Sequence, residues 1–403
     1  MNSFFTNIIA VYWVVLTLKS TVFSAIPGVQ GMYSPMYPFL ALGALRGLTS
    51  RSSWSRVIMF CYGTFLALSL LALLLNQTSG SMQIARRLGT YAFGAIAFLN
   101  LTNPAQRRGL VFAQVGSAFC VALWVIYTSW TTNSGYRGGI TINWNYVSFV
   151  IAIGALPVLQ FCYANLGRLY KPRYALMVAV LGAQLYSLSL LASRGQVLAL
   201  AGAIPCLALG MSRKRVMHTI AALICLGAIA AGVLSLPGSE NLLARAQDRV
   251  EDLNLRVPIW QAMLTQYRQG SAAQMIAGQG IDAGEPLVDA TVTGLGTFHN
   301  SFLQVLFEEG LAGIAAFLAL HAWPALLLWK KRRVPAARVP LAILVFMVIG
   351  SLSGSSDQLF EYWIALAAVS TAACLRPSSL RRESGCEAAS RTRIYGKPLY
   401  SNV

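Results

Sequence analysis

Apolar residues run along this chain in long blocks, separated by short polar and often basic intervals. A helix of about 20 apolar residues crosses ~30 Å of hydrocarbon. Twelve such stretches can be marked, near 4–24, 32–48, 57–75, 88–103, 110–130, 145–165, 174–192, 195–211, 216–236, 303–329, 338–354 and 358–375. The second and fourth are short enough to be re-entrant or tightly packed. The pattern predicts an all-α polytopic membrane protein of about 12 transmembrane helices.

One interval is far longer than the rest, from 237 to 298. In it Leu243, Ala246, Val250 and Leu253 form an apolar stripe at helical spacing, with Arg245, Asp248, Arg249 and Glu251 largely off it. Pro258 reads as the first position of a second helix, and Trp260, Met263, Leu264 and Tyr267 follow at i, i+3, i+4 and i+7. Two short amphipathic helices are expected, lying on the outer leaflet or capping the bundle. Gly278, Gly280, Gly284, Gly294 and Gly296 then loosen the chain before His299. The expected layout is nine spans over 1–236, the loop over 237–298, three spans over 299–375, and a basic, disordered tail over 376–403.

Composition supports a membrane assignment: 56% of residues are hydrophobic and 11% charged, against roughly 25% charged in soluble domains. The net charge of +18 does not point to nucleic acid, because the basic residues cluster between apolar blocks. With the N-terminus inside, the cytoplasmic loops and tail hold 22 of the 31 lysines and arginines, as the positive-inside rule requires. Both termini are then cytoplasmic, and the long loop, the Ser193-Arg194-Gly195 hairpin and the Ser351–Asp357 turn face out. Arg86 and Arg87 are the misfits, on the outer side before the fourth span. Met1–Asn7 carries no basic residue, which argues against a cleaved signal peptide. The seven cysteines form no C-x-x-C pair and none lies in the long loop, so neither a disulfide framework nor a thiolate metal site is expected.

No Asp or Glu precedes Glu240, so the first nine expected spans lack the carboxylates of common proton relays and Asp-rich metal sites. His299, one of three histidines, opens a helix with Asn300 and Gln304 after it. It either anchors that helix at the interface or acts as a general base, since neutral imidazole accepts a hydroxyl proton near neutral pH. His321 and His218 read as structural. Arg194, alone in a short outer hairpin, is either a snorkelling arginine or a bidentate phosphate ligand. Arg256, placed just before a helix start, would add backbone N–H groups to an anion site. Arg249 reads as a solvated helix face or a further substrate contact. Trp260, Tyr267 and Phe298 could stack on sugars or lipid, or form an apolar stripe. Gly310 and Gly313 suggest close helix packing. Asp357 and Glu361, near an outer turn, are candidates for orienting the site.

Three segments carry a family resemblance. They are Ser193-Arg194-Gly195-Gln196 with Leu198-Ala199; Arg256-Val257-Pro258-Ile259-Trp260 followed by Gly278-Gln279-Gly280; and Phe298-His299-Asn300-Ser301-Phe302-Leu303-Gln304 with Glu309-Gly310 and Gly313. In this order they resemble the O-antigen ligase/polymerase superfamily of bacterial envelope glycosyltransferases. The resemblance implies an inverting, metal- and cofactor-independent transfer at the periplasmic face of the bacterial inner membrane. The donor would be a glycan on undecaprenyl diphosphate and the acceptor, for a ligase, the lipid A–core oligosaccharide. His299 would be the base, and Arg194 and Arg256 would hold the diphosphate. Apart from the resemblance, Asn300, Gln304, Arg249, Trp260 and Asp357 are candidates for further substrate contacts. The alternatives are a polymerase of the same superfamily and, in a different class, a transporter or flippase for a lipid-linked anion.

Overall fold

The computed structural model describes residues 8–23, 53–75, 81–101, 104–131, 144–165, 171–191, 193–209, 250–291, 298–354, 359–377 and 379. Among them there is no strand. The helices are α1 (Ile8–Ser20), α2 (Ser53–Leu75), α3 (Ser81–Asn100), α4 (Pro104–Thr131), α5 (Trp144–Ala164), α6 (Pro172–Leu191), α7 (Arg194–Ala208), α8 (Val250–Gln269), α9 (Ala272–Ala277), α10 (Gly284–Thr291), α11 (Ser301–Lys330), α12 (Pro335–Ser351) and α13 (Phe360–Cys374). Pro104, Pro172 and Pro335 open their helices, where a missing N–H costs nothing and the fixed φ suits the first turn.

Among the described residues, five helices are long and apolar enough to cross a membrane: α2, α4, α5, α6 and α11. Shorter apolar helices lie in α1, α3, α7, α12 and α13. Each of these ten falls on a stretch expected to span; the expected spans at 32–48 and 216–236 lie outside the described residues. The protein is therefore an all-helical membrane protein over the residues described.

Helix α13 is the central post, buried almost throughout and packed on α3, α12 and α11. Around it Phe65, Tyr91, Phe317, Tyr362 and Trp363 interlock at ring distances of 4.9–6.5 Å. His321 belongs to this interior, as expected. Its Nδ1–H donates to the Phe317 carbonyl at 2.7 Å, so its Nε2 accepts the Tyr362 hydroxyl at 2.5 Å. Helix α7 lies close along α12 because Gly195 and Gly202 share one face: a Cβ at either would overlap Ser353 or Ile349.

Polar cross-links sort the helix ends. At one end Lys331 Nζ donates to the Ala373 and Leu375 carbonyls, capping α13. At the other, the Tyr146 hydroxyl donates to Glu361 Oε1 at 2.6 Å and Ser193 Oγ–H to Asn145 Oδ1 at 2.9 Å. The starts of α5, α7, α11 and α13 thus gather with the end of α12.

The long interval departs from expectation at the start of its second helix. Pro258 does not open a helix but lies inside α8, which runs on from Val250. Proline removes one N–H bond and strains the preceding turn without having to end the helix. The rest of the first expected helix lies outside the described residues. The stripe after Pro258 is a cap: Ile259, Met263 and Tyr267 bury against Val288, Phe298 and Phe307.

Candidate active site

The site is organised around a broken helix. α11 begins at N-cap Asn300, whose Oδ1 accepts the Phe302 and Leu303 N–H groups at 3.0 and 3.1 Å. At Gly310 the backbone turns to φ 71°, ψ −168°, a region open to glycine and little else. The break frees the carbonyls of Phe307 and Glu308, and buried carbonyls need donors. The Gly278–Gly280 loop supplies them: Gln279 N–H donates to Phe307 O at 2.8 Å and Gly280 N–H to Glu308 O at 3.0 Å. Gly278 (φ 92°) and Gly310 lie backbone against backbone; a Cβ on either would overlap the other strand. Gly310 therefore lets α11 pack closely on the end of α9 and on the loop that follows it. Gly313 makes room for the buried Glu309 side chain.

His299 immediately precedes this helix with φ 51°, a left-handed conformation uncommon outside glycine. Such strain costs about 1–3 kcal/mol and persists where neighbours enforce it. Both neighbours do. Trp260 Nε1–H holds the Phe298 carbonyl at 2.8 Å, the Phe298 ring is buried against Phe307, and Asn300 is committed to its cap. The His299 Nε2 is shielded from solvent. Phe298 and Tyr267 are buried in the cap, so stacking on a sugar is closed to them. The Tyr267 hydroxyl donates to Met275 O at 2.5 Å, and burial pushes its pKa up, keeping the donor protonated.

Three expected segments meet at one turn, Ser351–Gly354. Gly195, second residue of α7, packs its bare Cα on Ser353. Arg256 Nη1 donates to the Ser353 carbonyl at 3.1 Å. Ser301 Oγ–H donates to the Gly354 carbonyl at 3.0 Å, two residues from His299. The starts of α7 and α11 and the guanidinium of Arg256 thus share one anchor.

The helix terminus belongs to Arg194 and not to Arg256. Arg256 is the seventh residue of α8, so the N–H groups around it belong to helix interior and are not offered to an anion. Arg194 is instead the first residue of α7, and N-cap Ser193 makes no side-chain cap bond because its hydroxyl goes to Asn145. A helix start that lacks such a cap, next to an arginine, has the electrostatics of an anion site. Of Arg194 only the backbone is described; Arg249 and Asp357 lie outside the described residues.

Sequence reasoning missed Arg87. Its Nη1 meets Asp282 Oδ1 at 2.9 Å, its Nη2 meets Glu308 Oε2 at 2.7 Å, and its Nε–H donates to the Tyr91 hydroxyl at 2.9 Å. Gln304 Nε2 donates to the other Glu308 oxygen at 2.9 Å. The outer-side misfit is the partner of two loop and helix acids. The sequence marked it only as a misplaced charge, because its partners lie 195 and 221 residues away.

Comparison with known proteins agrees with the motifs. Residues 175–318 match the family described as O-antigen ligase, a segment containing Arg194, Arg256 and His299. The chain is also 24% identical over 341 residues to an O-antigen ligase of Pseudomonas aeruginosa, covering 82% of this chain and 80% of that one. With three motifs in order, brought to one turn at one end of a helical membrane bundle, the chain is similar to the O-antigen ligase superfamily.

Proposed function

We propose that the protein is an O-antigen ligase, transferring a glycan from undecaprenyl diphosphate to lipid A–core oligosaccharide at the periplasmic face of the inner membrane. The observation that carries this reading is the shared Ser351–Gly354 turn, which ties the Arg194 helix start, Arg256 and the His299 helix start together. The lipid-borne donor requires a site at the membrane edge, and the break at Gly310 suits that. The residues from Leu311 to Lys330 are enough for one crossing, leaving Ser301–Glu309 and His299 beyond it. The positive-inside rule puts that end outside the cell's cytoplasm and both termini within it.

In the proposed reaction His299 takes the proton of an acceptor hydroxyl as its oxygen attacks the anomeric carbon. The bond from that carbon to the diphosphate oxygen breaks, and the leaving diphosphate carries the electron pair. Attack opposite the leaving group inverts the anomeric centre. Negative charge grows on the diphosphate, where Arg194, Arg256 and the α7 amides offer fixed positive charge; such preorganised donors are each worth about 3–4 kcal/mol. These cations take the part a metal plays in other transfers. Asn300, whose Oδ1 is held by its cap, and Gln304, whose Nε2 is held by Glu308, are the further polar side chains this reading offers to the sugars.

His299→Asn is the decisive substitution, because Asn tolerates the left-handed backbone but is no base. It should fold and insert normally while kcat falls about 10²–10⁴-fold. Wild-type turnover in this variant would remove His299 from the chemistry. Transfer should survive EDTA. Product mass from lipid-linked glycan plus lipid A–core separates the branches: a joined product supports a ligase, a lengthened donor a polymerase, and relocation without bond formation a transporter.

A further inference from the structure

We propose that Arg87 is a positioning residue for the transfer site, latching the Gly278–Gly280 loop onto the break in α11 and so fixing how His299 is presented. The inference rests on the transfer reading above, but its structural half can be read without turnover. Arg87 comes from α3, outside the segment that matches the family. It is 6% exposed, and its partners Glu308 and Asp282 are 1% and 16% exposed. All three guanidinium nitrogens are engaged, two of them by carboxylates, so its charge is spent inside the protein rather than offered to a diphosphate.

The two acids lie on the two pieces that must stay joined. Asp282 follows the loop directly and is itself held at φ 61°. Glu308 sits on the α11 segment before the break, two turns after Ser301, and is tied to Gln304 one turn earlier. The loop amides of Gln279 and Gly280 close on Phe307 and Glu308 between these ion pairs. One side chain therefore fixes both the seating of the loop and the rotation of the short helix that starts beside His299. Losing it strands a deeply buried carboxylate, which must move, hydrate or take up a proton. A shift of this kind far from the reacting atoms can slow turnover about 100-fold.

The test uses full-length protein in nanodiscs, comparing Arg87→Gln, Asp282→Asn and the double variant Arg87→Gln/Glu308→Gln. Hydrogen exchange in the peptide carrying Gln279 and Gly280 should quicken in Arg87→Gln, because the loop amides open more often. In the same variant kcat should fall by about 10- to 100-fold with KM for the lipid-linked donor unchanged. The double variant, with its stranded carboxylate neutralised, should recover part of that kcat. If Arg87→Gln does not insert, Asp282→Asn carries the same readings in smaller measure, since it leaves the Glu308 pair in place. Unchanged exchange overturns the latch whatever turnover does. Faster exchange at full kcat overturns the positioning role, and a raised donor KM with unchanged kcat would make Arg87 a donor contact instead. If the wild type transfers no glycan, the functional reading fails while the exchange data still decide the latch.

Discussion

Two glycines carry more of this site than any side chain of ordinary size. Gly278 and Gly310 both have positive φ, and a methyl group on either would strike backbone rather than a yielding side chain. Gly278→Ala or Gly310→Ala should each cost about 3 kcal/mol or more, from left-handed strain plus overlap. Gly63→Ala, where nothing lies near, should be neutral; chemical unfolding in detergent would check all three. Gly313→Ala falls between, since the obstacle is the Glu309 side chain, which can rotate. The sequence marks these positions as glycines but suggests a chain that loosens before His299. The structure shows the reverse, a loop clamped to a broken helix, because periodicity cannot say which backbone arrives opposite a missing Cβ.

At the scale of elements, α8 acts as a brace. Its apolar stripe buries against Phe298 and Phe307, and the Trp260 Nε1–H holds the Phe298 carbonyl next to strained His299. Trp260→Phe keeps most of the ring and removes only that donor. It should cost about 1 kcal/mol of stability, the typical net value of one hydrogen bond. It should also lower kcat several-fold with substrate KM values little changed, read by unfolding and steady-state assays. A fall in acceptor affinity with kcat intact would instead make Trp260 a sugar platform. The stripe was legible from its spacing, and so was capping as one of two fates. The helix start was not: Pro258 looks like a first position, yet the helix runs through it, and that moves Arg256 from a helix terminus to a helix interior. The α7 start beside Arg194 was legible to within a residue, but its missing side-chain cap was not, since Ser193 looks like a cap while its hydroxyl serves Asn145.

For the whole molecule, what the sequence conveys well is parity. Counting apolar blocks places the starts of α3, α5, α7, α11 and α13 on one side, and the cross-links Arg87–Asp282, Ser193–Asn145, Tyr146–Glu361 and Ser301–Gly354 gather those ends. What it could not convey is the pairing of Arg87 in α3 with acids some two hundred residues later, which only the assembled bundle brings within reach. The same parity makes orientation testable. Ala273, exposed on α9, and Arg333, exposed after α11, sit at opposite ends of a segment long enough to cross the hydrocarbon once. In a cysteine-free background, Ala273→Cys should react with an impermeant maleimide in intact spheroplasts, and Arg333→Cys only after permeabilisation. The opposite pattern would put His299, Arg256 and the α7 start in the cytoplasm. A glycan assembled on the outer leaflet could not then reach them, and the ligase reading would fall however well the three groups converge.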